Sequence, residues 1–330
     1  MTRRRPVLLG IMGDSAAGKS TLTQGLTNLL GPECVTRVCT DDYHKFDRRQ
    51  RAEMNITALH PDCNYLDILE LHLERLHYGQ PILKPVYDHA TGTLVRPAYV
   101  NPAEFVIVEG LLGFHTPAMR QFYDVKVYLQ PPEDLRRVWK IRRDTARRGY
   151  STAQVLAELE KREADSRDYI HPQRQYADIV VQFCPPPGVP AEDADGRLDV
   201  RLILRPTIPH PDLLGGSGQS ESSAIRLALA RDTGRPVDIL EIDGSVTPAQ
   251  TARLEEMIWR QLDGVSPIPA DQFGSYQDRG ETHHSDPLAL TQLLLTYHLL
   301  REYRSGAQRL FAPPLAPSSR LRTTQAADVA

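Results

Sequence analysis

Apolar and polar positions follow two different periods along the first half of the chain. Pro6 to Met12 is an apolar run of strand length, and Thr21 to Leu30 carries leucines at 22, 26, 29 and 30, the spacing of one helix face. Val35 to Thr40 is strand-like and ends in Asp41-Asp42. Leu66 to His77 has helical spacing, with apolar residues at 66, 69, 73 and 76. Phe105 to Val108 is a continuous apolar run suited to a central parallel strand buried on both faces. Asp124 to Leu129 and Ala177 to Phe183 read as further strands; Glu133 to Arg148 and Thr152 to Arg167 read as helices. This alternation predicts an α/β fold, a doubly wound and mainly parallel sheet with helices on both faces.

The pattern changes at Cys184-Pro185-Pro186-Pro187-Gly188. A boundary near 187 divides a core (1–187) from a smaller C-terminal strand and helix extension (188–305). In the extension, Leu198–Leu204, Ile225–Ala230 and Val237–Ile242 read as strands, and Pro248–Leu262 and Leu288–Tyr303 as helices. Leu213 to Ser223, rich in glycine and serine, reads as a loop, and 306–330, without periodicity, as a disordered tail.

Charge narrows the function. Lys+Arg 39 against Asp+Glu 42 gives a net charge of −3, which argues against bulk nucleic-acid binding. No apolar run is long enough to span a bilayer, and the basic lead-in before Pro6 lacks the apolar stretch of a signal peptide. Cys34, Cys39, Cys63 and Cys184 have no metal-ligand spacing and read as reduced thiols of a cytoplasmic protein.

Between the first strand and first helix lies Gly13-Asp14-Ser15-Ala16-Ala17-Gly18-Lys19-Ser20, a G-x-x-x-x-G-K-[ST] loop followed by Thr21. Glycines let successive backbone amides converge on a phosphate chain, and the helix N-terminus adds favourable partial charge. Lys19 is placed to reach the β- and γ-phosphates of ATP, and Ser20 to hold Mg²⁺. The run Phe105 to Val108 ends in Glu109-Gly110, an acid suited to the metal side of such a loop, and N-K-x-D is absent. A single Glu followed by Gly points to a kinase of small metabolites.

Asp41 and Asp42 follow the second strand, where a carboxylate can take a proton from an attacking hydroxyl. Spacing does not choose between them. Lys45, Arg48, Arg49 and Arg51 lie downstream. Arg48 is four residues after His44, so a helical turn there would put both on one face, suited to a phosphorylated substrate. Arg136, Lys140, Arg143 and Arg147 share a face of the basic helix that also holds Arg137, Arg142, Asp144 and Arg148 and ends at Gly149. A lid closing on anionic ligands would explain that crowding.

Together these segments resemble the phosphoribulokinase/uridine kinase family, in the plant and cyanobacterial form of its phosphoribulokinase branch. The matching residues are Gly13 to Ser20, Asp41-Asp42-Tyr43-His44 with Arg48, Lys84 to His89, Val108 to Leu111, Trp139 to Asp144 with Arg148-Gly149, and Pro172 to Asp178. Leu240 to Gly244 and Phe273-Gly274 extend the likeness. The resemblance implies a P-loop kinase that transfers the γ-phosphate of MgATP to the C1 hydroxyl of D-ribulose 5-phosphate. It implies Asp41 as base, with Lys19, Glu109, Arg143 and Asp144 as further catalytic residues. His44, Arg48, Tyr87, His89, Lys140 and Arg148 fall where the family binds substrate, and Ser20 and Glu109 where it holds Mg²⁺. A homodimer is expected. Plant enzymes pair a P-loop cysteine with one just before D-D-Y-H; here those positions hold Ala17 and Cys39, and no cysteine follows 184, so no thioredoxin-type switch is expected. His60-Pro61-Asp62 is similar to the uridine kinase branch and keeps a nucleoside acceptor as the alternative, with a non-catalytic nucleotide-binding regulator as a third reading.

Overall fold

The computed structural model describes residues 4–194, 196–213, 224–262, 267–278 and 281–309. In chain order, β1 (Val7–Gly13) leads through the glycine loop into α1 (Lys19–Leu30), then β2 (Val35–Cys39), α2 (Arg48–Glu53) and α3 (Leu66–His77). Next come β3 (Ile82–Asp88), β4 (Thr93–Val100), β5 (Phe105–Gly110), α4 (Pro117–Arg120), β6 (Val125–Leu129), α5 (Glu133–Arg148), α6 (Thr152–Asp165) and β7 (Ile179–Cys184). The rest comprises β8 (Asp199–Leu204), β9 (Ile225–Asp232), β10 (Arg235–Ile242), α7 (Pro248–Arg260), β11 (Ser275–Asp278), β12 (Glu281–His284) and α8 (Asp286–Arg309).

Eight strands form one sheet in the order β2-β5-β1-β6-β7-β8-β10-β9. The first five run parallel; β8, β10 and β9 add antiparallel pairings. The strands beyond 187 thus continue the core sheet. Because side chains alternate across a strand, Leu9 and Ile11 face α1 and α8, whereas Leu8 and Met12 face α3 and Phe114. Each such fully buried Leu, Ile or Met contributes about 1.5–3 kcal/mol. Leu288 to Leu299 of α8 is buried throughout, and a Cβ at Gly25 of α1 would lie 2.1 Å from Gln292 Nε2, so the two helix backbones approach closely.

Several expectations shift. α6 stops at Asp165 and gives way to a π-helical turn, Ser166–Ile170. α8 passes Gly306 and runs to Arg309, since a glycine near a helix end costs only about 1 kcal/mol. The remainder of the expected tail and the glycine- and serine-rich loop from 214 to 223 lie outside the described residues. The ribbons β3–β4 and β11–β12 were not expected from the apolar pattern: β4 and β12 are almost wholly solvent-facing, and Pro85 interrupts β3 beside a register shift.

Candidate active site

The carboxyl ends of β1, β2 and β5 lie side by side, and the predicted chemistry gathers beyond them. Gly13 turns the chain with φ 151°, and a Cβ there would lie 2.5 Å from Leu129 O. Ser15, Ala16 and Ala17 form the turn, with Ala16 at φ 65°, and Gly18 opens α1 in the left-handed region. The N-terminus of α1 has no side-chain cap and no acid in its first turn, which leaves its amides and partial charge available to an anion. Ser20 and Thr21 are exposed there. Lys19 Nζ donates to Gly13 O (2.8 Å) and Asp14 O (2.7 Å). Burial pushes the Lys19 pKa down, against the charges of Asp41, Asp14 and Glu109.

Asp14, predicted as part of the nucleotide cradle, turns its carboxylate into the protein. It accepts from Ser15 N (2.6 Å) and from Ser166 Oγ, and faces Arg136. Burial alone would raise its pKa; the His171 and Ser166 hydrogen bonds and the Arg136 charge outweigh that and hold it well below the carboxylate range.

Asp41 and Asp42 sit in a 3₁₀ turn, Thr40–Tyr43. Asp42 is bonded to Lys84 Nζ and accepts from Tyr87 N (3.0 Å). Asp41 Oδ1 is buried without a hydrogen-bond partner among the described residues, and so is Glu109 Oε2. The other Glu109 oxygen accepts from Arg37 Nη2 at 3.1 Å. Both carboxylates act on Lys19 and on Cys39, so they border one space. Unsatisfied buried carboxylate oxygens that act on Lys19, the residue before Ser20, fit Mg²⁺, which takes one or two carboxylates alongside substrate phosphates and water. No cluster of three His, Cys, Asp or Glu suited to a metal occurs among the described residues.

A second group lies beside Asp41. His44 Nδ1 donates to Asn64 Oδ1 (2.8 Å), whose amide donates to Ala58 O and His60 O, so Nε2 carries the free lone pair. Burial lowers the His44 pKa, Arg51 adds to that, and Asp41 opposes it. His44 meets the Tyr87 ring edge-on, and Tyr87 meets His89. The helical turn that would put His44 and Arg48 on one face does not form: His44 bridges to Asn64, and Asp47 caps a new helix that starts at Arg48. Arg48 instead donates to His89 O (2.6 Å). Arg51, one of the basic residues downstream of the two aspartates, donates to Tyr87 Oη (2.7 Å) and lies over its ring. Its i, i+3 relation to Arg48 on α2 was the available signal.

Much of the basic face of α5 is paired within the protein. Arg136 pairs with Glu133 and Asp14 and donates to Ser15 O (3.1 Å). Lys140 and Asp144 form a buried pair at 2.7 Å, and Arg143 Nε bonds the other Asp144 oxygen at 2.8 Å. Burial would raise the Asp144 pKa, but Arg143 and Lys140 hold it at about 2. The protein's own carboxylates therefore neutralise much of the face. Arg143 also reaches Ser15 Oγ (3.3 Å), which puts its guanidinium at the nucleotide loop. The side chains of Arg147 and Arg148 lie outside the described residues.

A sequence model of the Phosphoribulokinase / Uridine kinase family matches residues 8–189. A phosphoribulokinase of Synechocystis sp. is 36% identical over 272 residues, 77% of this chain and 80% of that protein. A chloroplastic phosphoribulokinase of Mesembryanthemum crystallinum is 32% identical over 286 residues, 77% of this chain and 71% of that one. The solved phosphoribulokinase from Rhodobacter spheroides superposes with a TM-score of 0.58 at 18% identity, over 78% of this chain and 96% of that one, a likeness of fold. The chain belongs to the phosphoribulokinase/uridine kinase family and has the P-loop kinase fold.

Proposed function

We propose that this kinase phosphorylates the C1 hydroxyl of D-ribulose 5-phosphate with ATP, giving ribulose 1,5-bisphosphate for the Calvin cycle, with Asp41 as the base. The observation that carries this reading is the contrast between the two aspartates: Asp42 is bound to Lys84 and Tyr87 N, while Asp41 keeps a buried, unpartnered oxygen near Lys19. Asp41 takes the C1 proton as the hydroxyl oxygen bonds to the γ-phosphorus, and the bond from that phosphorus to the bridging oxygen breaks to release ADP. The amides of residues 13–19 and Lys19 orient the phosphates, and Arg143, held by Asp144, supports the charge on the transferring group. Ser20 and Glu109 would hold Mg²⁺, which when bound neutralises phosphate charge.

His44, Tyr87, His89, Arg48 and Arg51 form the acceptor end; Lys140 is held by Asp144, and the expected contribution of Arg148 falls on a side chain outside the described residues. The two arginines match the phosphate of a sugar phosphate, for which a nucleoside acceptor has no counterpart. His60, part of the segment similar to uridine kinases, is occupied internally by Tyr169 Oη and Asp62 N. Likeness to the Synechocystis phosphoribulokinase also runs well past the 8–189 family match, into the C-terminal extension. We further propose that 1–187 carries the kinase core and 188–305 the extension, that the chain works as a cytoplasmic homodimer, and that its exposed edge strand β9 is available for pairing. No helix among the described residues is long and apolar enough to cross a membrane. ADP release measured with ribulose 5-phosphate and with uridine tests the assignment.

A further inference from the structure

Three consecutive contacts at the end of α6 reach two different loops. Thr57 Oγ1 donates to Asp165 Oδ2 at 2.5 Å. The next residue, Ser166, gives its hydroxyl proton to Asp14 Oδ2 of the nucleotide loop and accepts from His171 Nε2 (3.1 Å). Tyr169 Oη lies 3.2 Å from His60 Nε2, with the rings edge-on at 4.9 Å. His60 Nδ1 accepts from Asp62 N, so the Nε2 proton is the one donated to Tyr169. Asp165 and Tyr169 are four apart and reach the segment 57–64; Ser166 points to the other side, at Asp14. The chain here is a π-helical turn, a rare form found frequently at functional sites.

Both ends of this bridge bear on the chemistry. Asp14 is 6% exposed and Ser166 5%, so water does not easily replace the hydroxyl, and Asp14 also fixes the Ser15 amide at the start of the phosphate cradle. On the other side, Asn64 accepts from His44 Nδ1 and donates to Ala58 O and His60 O, so the segment that Tyr169 and Asp165 hold sets the orientation of His44.

We infer that the turn Ser166–Ile170 couples the nucleotide loop to the acceptor loop, with Ser166 and Tyr169 as positioning residues that touch neither substrate. This coupling rests on the kinase reading given above. When the acceptor orders segment 57–64, Tyr169 and Asp165 fix the turn, Ser166 fixes Asp14, and the cradle amides are held for the triphosphate. Acceptor binding therefore tightens nucleotide binding, and the reverse by linkage.

The test is equilibrium binding of the β,γ-imido analogue of ATP, with and without saturating ribulose 5-phosphate, in the full chain and in Ser166→Ala, Tyr169→Phe and the double variant. The wild type is expected to bind the analogue about 5–150-fold tighter with acceptor present. Each single variant is expected to bring that factor close to one, the double variant to add nothing further, and Ser166→Thr to keep the wild-type factor because the hydroxyl remains. Thermal unfolding of each variant identifies a folded sample. A wild type without coupling, or folded single variants with the wild-type factor, would overturn the inference. Wild-type turnover is measured first. No turnover of ribulose 5-phosphate counts against both the functional reading and the coupling, whereas normal turnover with unaltered factors counts against the coupling alone.

Discussion

Lys84 holds Asp42: its ammonium bonds Asp42 Oδ2 with both side chains largely buried, at 10% and 15% exposure. That one pairing separates two chemically identical neighbours and, in the proposed mechanism, leaves Asp41 as the base. The two substitutions should therefore part company. Asp41→Asn lowers kcat by about 10²–10⁴ with nucleotide affinity intact and stability unchanged or higher. Asp42→Asn leaves Lys84 without its counter-charge and costs about 3 kcal/mol of stability. Urea unfolding beside steady-state kinetics reads both; equal losses of stability would contradict the division of roles.

Arg51 binds Tyr87 through a planar guanidinium, stacked and hydrogen-bonded at once. Arg51→Ala should raise KM for the sugar phosphate by about 10–100-fold, the worth of a hydrogen bond to a charged group, with a smaller change in kcat. Arg51→Lys should not restore it, because an ammonium cannot reproduce the fork. An unchanged acceptor KM in Arg51→Ala would remove this residue from the site.

Cys39 ends β2 opposite Glu109, where burial, Asp41, Glu109 and Asp42 push its thiol well above the ordinary value. With Ala17 at the position where a partner would sit, the thiol stays protonated and unreactive near neutrality. Activity should be the same after oxidant or reductant, and Cys39→Ser should behave as wild type in both. A reductant-dependent rise in activity that Cys39→Ser abolishes would show a switch.

His298 of α8 is buried against His210, with Arg301 nearby. His210 donates from Nε2 to Arg205 O, which leaves Nδ1 to accept from His298. Burial first, then His210 and Arg301, lower its pKa from 6.5 to about 3. Between those values the unfolded chain binds a proton that the folded chain does not. Stability therefore rises with pH across this window and is lost as the pH falls below 6.5, by about 2 kcal/mol at pH 5. The melting temperature of His298→Gln should fall less between pH 7 and pH 5 than that of the wild type. Parallel slopes would refute the assignment.

The sheet strands and long helices were legible because burial imposes a period: α3 and α5 begin and end where their apolar spacing and Gly149 predict. The nucleotide loop was legible because its function fixes glycines at set positions. The ribbon β3–β4 was not, since β4 is almost wholly solvent-facing and Pro85 and a buried Lys84 break the apolar alternation of β3. The choice between Asp41 and Asp42 depends on Lys84, forty-two residues away along the chain, and no local pattern contains it. The Arg51–Tyr87 bond and the inward turn of Asp14 toward Ser166 were hidden for the same reason.

The most direct test of the central claim is ADP release by the purified chain with MgATP and, in parallel, ribulose 5-phosphate or uridine. Turnover with ribulose 5-phosphate, formation of ribulose 1,5-bisphosphate, no turnover with uridine, and loss of activity in Asp41→Asn are the expected results. Turnover of uridine without turnover of ribulose 5-phosphate would contradict the account.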